Sequence, residues 1–97
     1  MIEKNTAIAE NSLFSRSADI IVRRVQDETI LLDLNSGIYY SLDDVGGYIW
    51  SLLDVARTPR QLADLVSAEY AVEPETAMAD IAELLADLLG EGLISPA

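Results

Sequence analysis

Near the start of the chain, two apolar stretches with imperfect alternation predict β-strands. Residues 19–25 and 29–34 are rich in isoleucine, valine and leucine, and Gln26-Asp27-Glu28 between them predicts a turn. Asn35-Ser36-Gly37 predicts a second turn, with glycine where a positive φ is needed, and residues 38–42 follow as a third strand. The stretches together predict a three-stranded antiparallel meander. Its core-covering face is expected to carry Ile30, Leu32, Leu34, Ile38, Tyr40 and Leu42.

After the third strand the apolar residues change to a helical spacing. The first predicted helix begins after Asp43 or Ser41 as its N-cap, and it contains a glycine pair that suggests close approach to a neighbouring backbone. The second helix has a strong start signal, because Thr58 is a good cap, Pro59 suits the first helical position and Gln61 completes a capping box. The residues predict an α+β fold in which the meander is followed by three helices.

The third helix, predicted over residues 74–89, has an unusually wide apolar face. On a helical wheel its apolar arc covers about 160°, against the ~100° that one core-facing side requires. Two interpretations stay open: a small bundle surrounds the helix, or one shoulder lines an exposed groove. Such a groove would have a negative margin, because from residue 61 onward the chain has eight acidic residues and no basic one. It would suit a peptide with apolar anchors and basic residues between them.

The first part of the chain lacks a regular pattern. Residues 1–18 predict a flexible or loosely docked N-terminal arm, with Leu13 and Phe14 as candidate anchors, and residues 19–97 predict a single binding domain.

Composition excludes several classes of function. The 97 residues include no cysteine and no histidine, so thiolate sites, disulfides and the commonest general base are absent. The net charge of −11 disfavours nucleic-acid binding. No apolar run approaches the ~18 residues of a membrane span, and the start does not look like a signal peptide. We expect a cytoplasmic protein that is not an enzyme and holds no cofactor or metal.

Three segments carry a resemblance to a known family. In order along the chain they read GIYYSLDDVGGYIWSLL, TPRQLADLVSAEY and DIAELLADLLGEGLI. This order and spacing, over roughly residues 19–95, resembles the PqqD-like family of leader-peptide recognition domains, the RiPP recognition elements. A free-standing chain of this size is most similar to the stand-alone leader-binding protein of lasso peptide biosynthesis.

The resemblance implies a winged helix-turn-helix-like fold that binds peptide rather than DNA. In the family, the leader adds as an extra strand to the third strand and lies against the third helix. Carried onto this chain, the implied peptide-binding residues are Ile38, Tyr39, Tyr40, Ser41, Leu42, Asp80, Ile81, Leu84, Asp87 and Leu88. Which strand side chains face the peptide stays open, because alternate residues point to opposite faces.

The implied partners are a precursor peptide, through its leader, a cysteine-type leader peptidase and the lasso cyclase, with no nucleic acid and no membrane. Three alternatives remain: a PqqD-type peptide chaperone of a radical-enzyme pathway, a non-catalytic docking subunit, and a winged-helix DNA-binding regulator. The last is disfavoured because the second and third predicted helices contain only Arg60 as a basic residue.

Overall fold

The computed structural model describes residues 8–97, and the predictions for residues 1–7 lie outside that range. The meander followed by three helices is confirmed, with one more short strand at each end. The elements are β1 (Phe14–Arg16), β2 (Ile20–Val25), β3 (Glu28–Asp33), β4 (Tyr39–Leu42), α1 (Asp44–Leu52), α2 (Pro59–Tyr70), α3 (Pro74–Gly90) and β5 (Ile94–Pro96).

The meander has the strand order β2-β3-β4, with both pairs antiparallel. Its two turns lie where the sequence predicts them. Gln26 adopts a φ of 58° in the first turn, and Gly37 adopts a φ of 74° in the second, which is the left-handed region that favours glycine. In the second turn the Asp33 carboxylate accepts a hydrogen bond from the Asn35 backbone N–H at 2.9 Å, which fixes the chain reversal.

The predicted core face of the sheet is wrong by one residue along β3. Leu31 is completely buried, whereas Ile30 and Leu32 are only half-buried and point away from the helices. Leu31 pairs with Tyr40 across the ladder, so Tyr40 does face inward as predicted. The error arises because Ile30-Leu31-Leu32 is apolar without a break, and alternation therefore cannot select a face. Two other residues of the predicted face, Leu34 and Ile38, lie outside the strands, with about half of each side chain exposed.

The helix starts follow the capping signals. Asp43 is the N-cap of α1, and its carboxylate accepts a hydrogen bond from the Gly46 backbone N–H at 2.8 Å. The capping box of α2 is confirmed: the Thr58 hydroxyl accepts from the Gln61 N–H at 3.1 Å, and the Gln61 side chain accepts from the Thr58 N–H at 2.9 Å. Local sequence therefore determines where these two helices begin.

The glycine pair in α1 allows that helix to lie directly on β3. A Cβ atom at Gly47 would overlap the Thr29 side-chain hydroxyl, and one at Gly46 would lie 3.2 Å from the Leu42 Cβ. The close neighbours of the pair are thus side chains rather than the backbone that we predicted. Any larger residue at position 47 would push α1 away from the sheet.

Part of the predicted N-terminal arm belongs to the folded domain. Strand β1 pairs antiparallel with β5, so the two ends of the described chain lie together. Phe14 is 4 % exposed, and its backbone N–H and C=O both bond to Arg57 at 3.0 Å. Residues 14–16 are therefore a paired strand and not a loose arm. The core that Phe14 joins also contains Leu31, Leu42, Ile49, Trp50, Leu53, Leu62, Ala63, Val66, Ala77, Ile81, Leu85, Leu88, Leu93 and Ile94.

Candidate functional site

Strand β4 forms an exposed edge of the meander, since only β3 pairs with it. Among residues 8–97, no strand pairs with the other side of β4. An unpaired strand edge of this kind is a template for another extended chain.

A cleft separates β4 from α3, and we call it the β4–α3 cleft. It has two adjoining halves that share Ser41, Leu42 and Leu84. The half next to α1 has a volume of about 570 Å³, and the half at the end of α3 has a volume of about 540 Å³. The first is completed by Asp43, Val45, Gly46, Ile49, Asp80 and Glu83, and the second by Tyr40, Ala86, Asp87, Leu88, Gly90, Glu91 and Leu93.

The cleft is apolar at its base and acidic around its margin. Leu42 and Leu88 are buried at the base, and Leu84 is half-buried between the two halves. Among the described residues, no basic side chain lines the cleft. Five exposed carboxylates do, and they belong to Asp43, Asp80, Glu83, Asp87 and Glu91. This arrangement favours an extended ligand with apolar anchors and positive charges.

Tyr40 connects the edge strand to the end of α3. Its hydroxyl donates a hydrogen bond to Oε1 of Glu91 at 3.1 Å. Partial burial of the ring raises the pKa of the Tyr40 phenol, and the Glu91 carboxylate raises it further by accepting that bond and by its charge. The hydroxyl is therefore a neutral donor throughout the physiological pH range.

Seven of the ten predicted site residues line the β4–α3 cleft. The other three lie elsewhere. Ile38 precedes β4 and its carbonyl accepts a bond from the Asp33 N–H at 3.1 Å, while the Tyr39 side chain is 68 % exposed on the opposite face of the sheet. Ile81 is 1 % exposed within the helical core. The seven lining residues are Tyr40, Ser41, Leu42, Asp80, Leu84, Asp87 and Leu88.

The structure resolves which strand side chains face the cleft. Tyr40 and Leu42 point inward with the buried Leu31 face, whereas Tyr39 pairs with Leu32 on the outer face. The Tyr39 ring therefore lies outside the β4–α3 cleft, on the outer face of the sheet.

Sequence reasoning missed the contribution of α1. Val45, Gly46 and Ile49 form one end of the cleft because the glycine pair brings α1 against the sheet. No local signal shows that a helix start will lie beside a distant helix. Glu83, in contrast, follows Asp80 by three residues and precedes Asp87 by four, so helical periodicity alone places it on the same side of α3 as these two predicted site residues.

Within residues 8–97, no group of three or more His, Cys, Asp or Glu side chains is arranged to hold a metal ion. The same part of the chain contains no helix that is long and apolar enough to cross a membrane.

Two solved structures with leader peptides are similar to this chain. One is TbiB1 in complex with the TbiA(beta) leader peptide, which is 34 % identical over 84 % of this chain and 94 % of that chain, with a TM-score of 0.76. The other is lasso peptide synthetase B1 complexed with the leader peptide, which is 33 % identical over 91 % of this chain and 100 % of that chain, with a TM-score of 0.74.

A third similar structure is 23 % identical in sequence to this chain, so it supports the assignment of the fold and nothing further. It is the solution structure of the PqqD truncation of Methylobacterium extorquens PqqCD, described as a stand-alone RiPP recognition element. It covers 93 % of this chain and 96 % of that chain, with a TM-score of 0.79.

Among curated proteins, none matches this sequence. The family model of coenzyme PQQ synthesis protein D (PqqD) matches residues 28–94, from the start of β3 to the start of β5. Because that match spans well over half of the chain, and the two leader-peptide complexes share about a third of its residues over most of its length, the chain belongs to the PqqD family.

Proposed function

We propose that this protein binds the leader segment of a ribosomally made precursor peptide in lasso peptide biosynthesis. The leader adds as a strand to β4, residues 39–42, and lies against α3. One observation carries the proposal: an open strand edge lies beside an apolar, acidic-margined cleft in a chain similar to two leader-bound B1 proteins.

Each part of the cleft has a physical role in this mechanism. Backbone hydrogen bonds to β4 set the register of the leader, as they do whenever an extended peptide extends a sheet. Burial of apolar leader side chains against Leu42, Leu84 and Leu88 supplies most of the affinity. The carboxylates attract and orient basic residues of the leader. Ordering a flexible leader has a free-energy cost, so a few buried anchors must dominate the binding.

The strand geometry supports a particular spacing of apolar side chains in the leader. Successive side chains of an added strand point alternately into the cleft and away from it. Since Tyr40 and Leu42 are the inward residues of β4, leader residues opposite them also face inward. We therefore expect two apolar leader residues at spacing i, i+2, flanked by lysine or arginine.

We assign the cleavage and the cyclisation of the precursor peptide to partner enzymes. The chain has neither histidine nor cysteine, so we propose a non-catalytic role. In the lasso setting it presents the bound leader to a cysteine-type leader peptidase and then to the cyclase, in the cytoplasm where the precursor is made.

A second candidate function is supported by the family match itself. The PqqD model matches residues 28–94, which include both β4 and α3, so a peptide chaperone of a radical-enzyme pathway would have the same cleft for its peptide. The adjacent genes discriminate the two: a peptidase and an asparagine-synthetase-like cyclase indicate lasso synthesis, whereas a radical enzyme indicates the alternative.

Fluorescence polarisation tests the proposal directly. A labelled leader from the neighbouring precursor gene should bind with a micromolar or tighter dissociation constant. A scrambled leader of the same composition is the control and should bind at least tenfold more weakly. Equal binding of the two peptides, or no binding of either, would reject strand addition with anchored side chains.

A further inference from the structure

The meander has a second open edge, on β2, at the opposite side of the sheet from β4. Strand β2 is longer than β4, with six residues against four, and all six pair with β3 on one side. In the described part of the chain no backbone group bonds to its other side. Every residue of β2 after Ile20 is exposed.

A cleft lies beneath this edge, and we call it the β2 cleft. Ile20 and Val22 point to the same side of the sheet as the buried Leu31, but Val22 is 41 % exposed because the helices do not extend under β2. The resulting space, about 520 Å³, lies between β2, β1 and the end of α1, with Trp50 and Leu53 among its lining residues. It is similar in size to each half of the β4–α3 cleft.

The β2 cleft differs from the other cleft in charge. The Arg16 guanidinium lies 5.6 Å from the centre of the Trp50 ring, in cation–π geometry. Arg23 and Arg24 project from β2, and none of these three arginines forms an ion pair within the described residues. Arg60, in contrast, is paired with Glu10 and Glu75. The lining of the β2 cleft itself holds Arg16 together with Asp19 and Asp54, so the positive charge of this region lies along the strands, on Arg16 of β1 and on Arg23 and Arg24 of β2.

We propose that the β2 edge binds an extended acidic segment of a partner protein as a further strand. Arg23 and Arg24 are neighbours in the strand and therefore point to opposite faces, so they match two consecutive acidic residues of the partner. An apolar partner residue two positions from the inward-facing acid lies beside Val22, over Trp50 and Leu53. This edge is distinct from the leader edge, and the proposal does not depend on leader binding.

Two competing roles for the arginines predict different results. In the first role, the charged residues of an edge strand only prevent copies of the protein from pairing with one another, and the edge binds nothing. A second copy of β2 is a poor occupant, because antiparallel pairing would place Arg23 and Arg24 near their own counterparts. An acidic strand satisfies the same backbone groups and also neutralises both guanidinium groups.

The test is a titration of the whole 97-residue chain, labelled with ¹⁵N, at low ionic strength. The probe is a blocked peptide of alternating threonine and valine with a central Glu-Asp pair, and the control peptide has the uncharged pair Gln-Asn at those two positions. We expect amide shifts confined to residues 20–25 and a shift of the Trp50 indole N–H. The dissociation constant should be submillimolar, and the uncharged control peptide should bind at least tenfold more weakly.

A variant pair separates this edge from the rest of the surface. Arg23→Gln/Arg24→Gln should weaken binding of the acidic peptide at least tenfold and leave leader binding unchanged. Arg60→Gln, which removes an arginine from α2, should change neither. The proposal is overturned if no β2 shift occurs at millimolar peptide, if both peptides bind equally, or if the shifts fall on β4. Concentration-dependent β2 shifts without peptide would assign the edge to a second copy and also overturn it.

Discussion

The hydroxyl of Tyr40 on the edge strand donates a hydrogen bond to the carboxylate of Glu91, just after the end of α3. The bond spans 3.1 Å and connects residues 51 positions apart. It lies at one end of the β4–α3 cleft, so it joins the two elements that form the proposed leader site.

This contact predicts a specific alkaline instability. Because the folded protein raises the pKa of Tyr40, it holds the phenolic proton more tightly than the unfolded chain does. The stabilisation is complete below the ordinary tyrosine pKa of about 10 and is lost as pH rises through the higher folded value. Tyr70, which is partly buried and donates to Asp44 at 3.3 Å, behaves in the same way.

Melting temperatures measured from pH 8 upward should therefore fall less steeply above pH ~10 in Tyr40→Phe/Tyr70→Phe than in the wild-type chain. Tyr39→Phe, a change at an exposed ring without a carboxylate bond, is the control and should keep the wild-type slope. Parallel curves for all three proteins would contradict the assignment.

Substitution of two half-buried leucines on α3 distinguishes an effect on leader binding from an effect on the stability of the fold. Leu84 lies between the two halves of the cleft, whereas Leu89 packs against the core outside it. Replacing either with alanine should lower the free energy of unfolding by about 1–2 kcal/mol, less than the ~2–5 kcal/mol of a fully buried leucine. Only Leu84→Ala should weaken leader binding, by tenfold or more in fluorescence polarisation. A similar loss in Leu89→Ala would show that affinity follows helix stability instead.

The acidic margin predicts a salt-dependent contribution to binding. Asp80→Asn/Asp87→Asn removes two exposed charges from opposite halves of the cleft. At low salt the dissociation constant of a basic leader should rise about threefold to tenfold, and the difference should shrink at high salt as exposed charges are screened. Asp64→Asn on α2 is the matched control, since Asp64 is exposed and lines neither half. An undiminished difference at high salt would indicate direct hydrogen bonds rather than a field effect.

Substitution of Gly47 should destabilise the protein, because this residue lies where α1 contacts β3. A methyl group there overlaps the Thr29 hydroxyl, so Gly47→Ala should cost about 1–3 kcal/mol of stability in urea unfolding. Thr29→Ala should recover part of this loss in the double variant, since it removes the overlapping oxygen. Gly90→Ala is the matched change, because its added Cβ meets nothing within 4 Å, and it should stabilise by up to ~1 kcal/mol. Additive effects of positions 29 and 47 would mean that the two side chains do not compete.

The two anchors suggested for the N-terminal arm should differ sharply. Phe14 is 4 % exposed and Leu13 is 42 % exposed. Phe14→Ala should therefore lower stability by about 3–5 kcal/mol, and Leu13→Ala by under ~1 kcal/mol. Hydrogen exchange provides a second measurement: in Phe14→Ala the protected amides of β1 and β5 should exchange faster than those of β3. Unchanged protection at β5 would show that the β1–β5 pair does not depend on Phe14.

The sequence by itself determined the features that depend on near neighbours. The turn at Gly37, the caps at Asp43 and Thr58 and the order of strands and helices follow from backbone preferences and hydrogen bonds within four residues. The acidic face of α3 also follows from sequence, since helical periodicity fixes which residues share a side.

Only the tertiary structure decided the face of β3, because three consecutive apolar residues satisfy either choice. It also decided that Ile81 enters the core, that Tyr39 points away from the cleft, and that β1 pairs with β5 from the far end of the chain. Each of these depends on which surfaces meet when helices pack on the sheet. That is a competition among many contacts of similar free energy, which no short stretch of residues encodes.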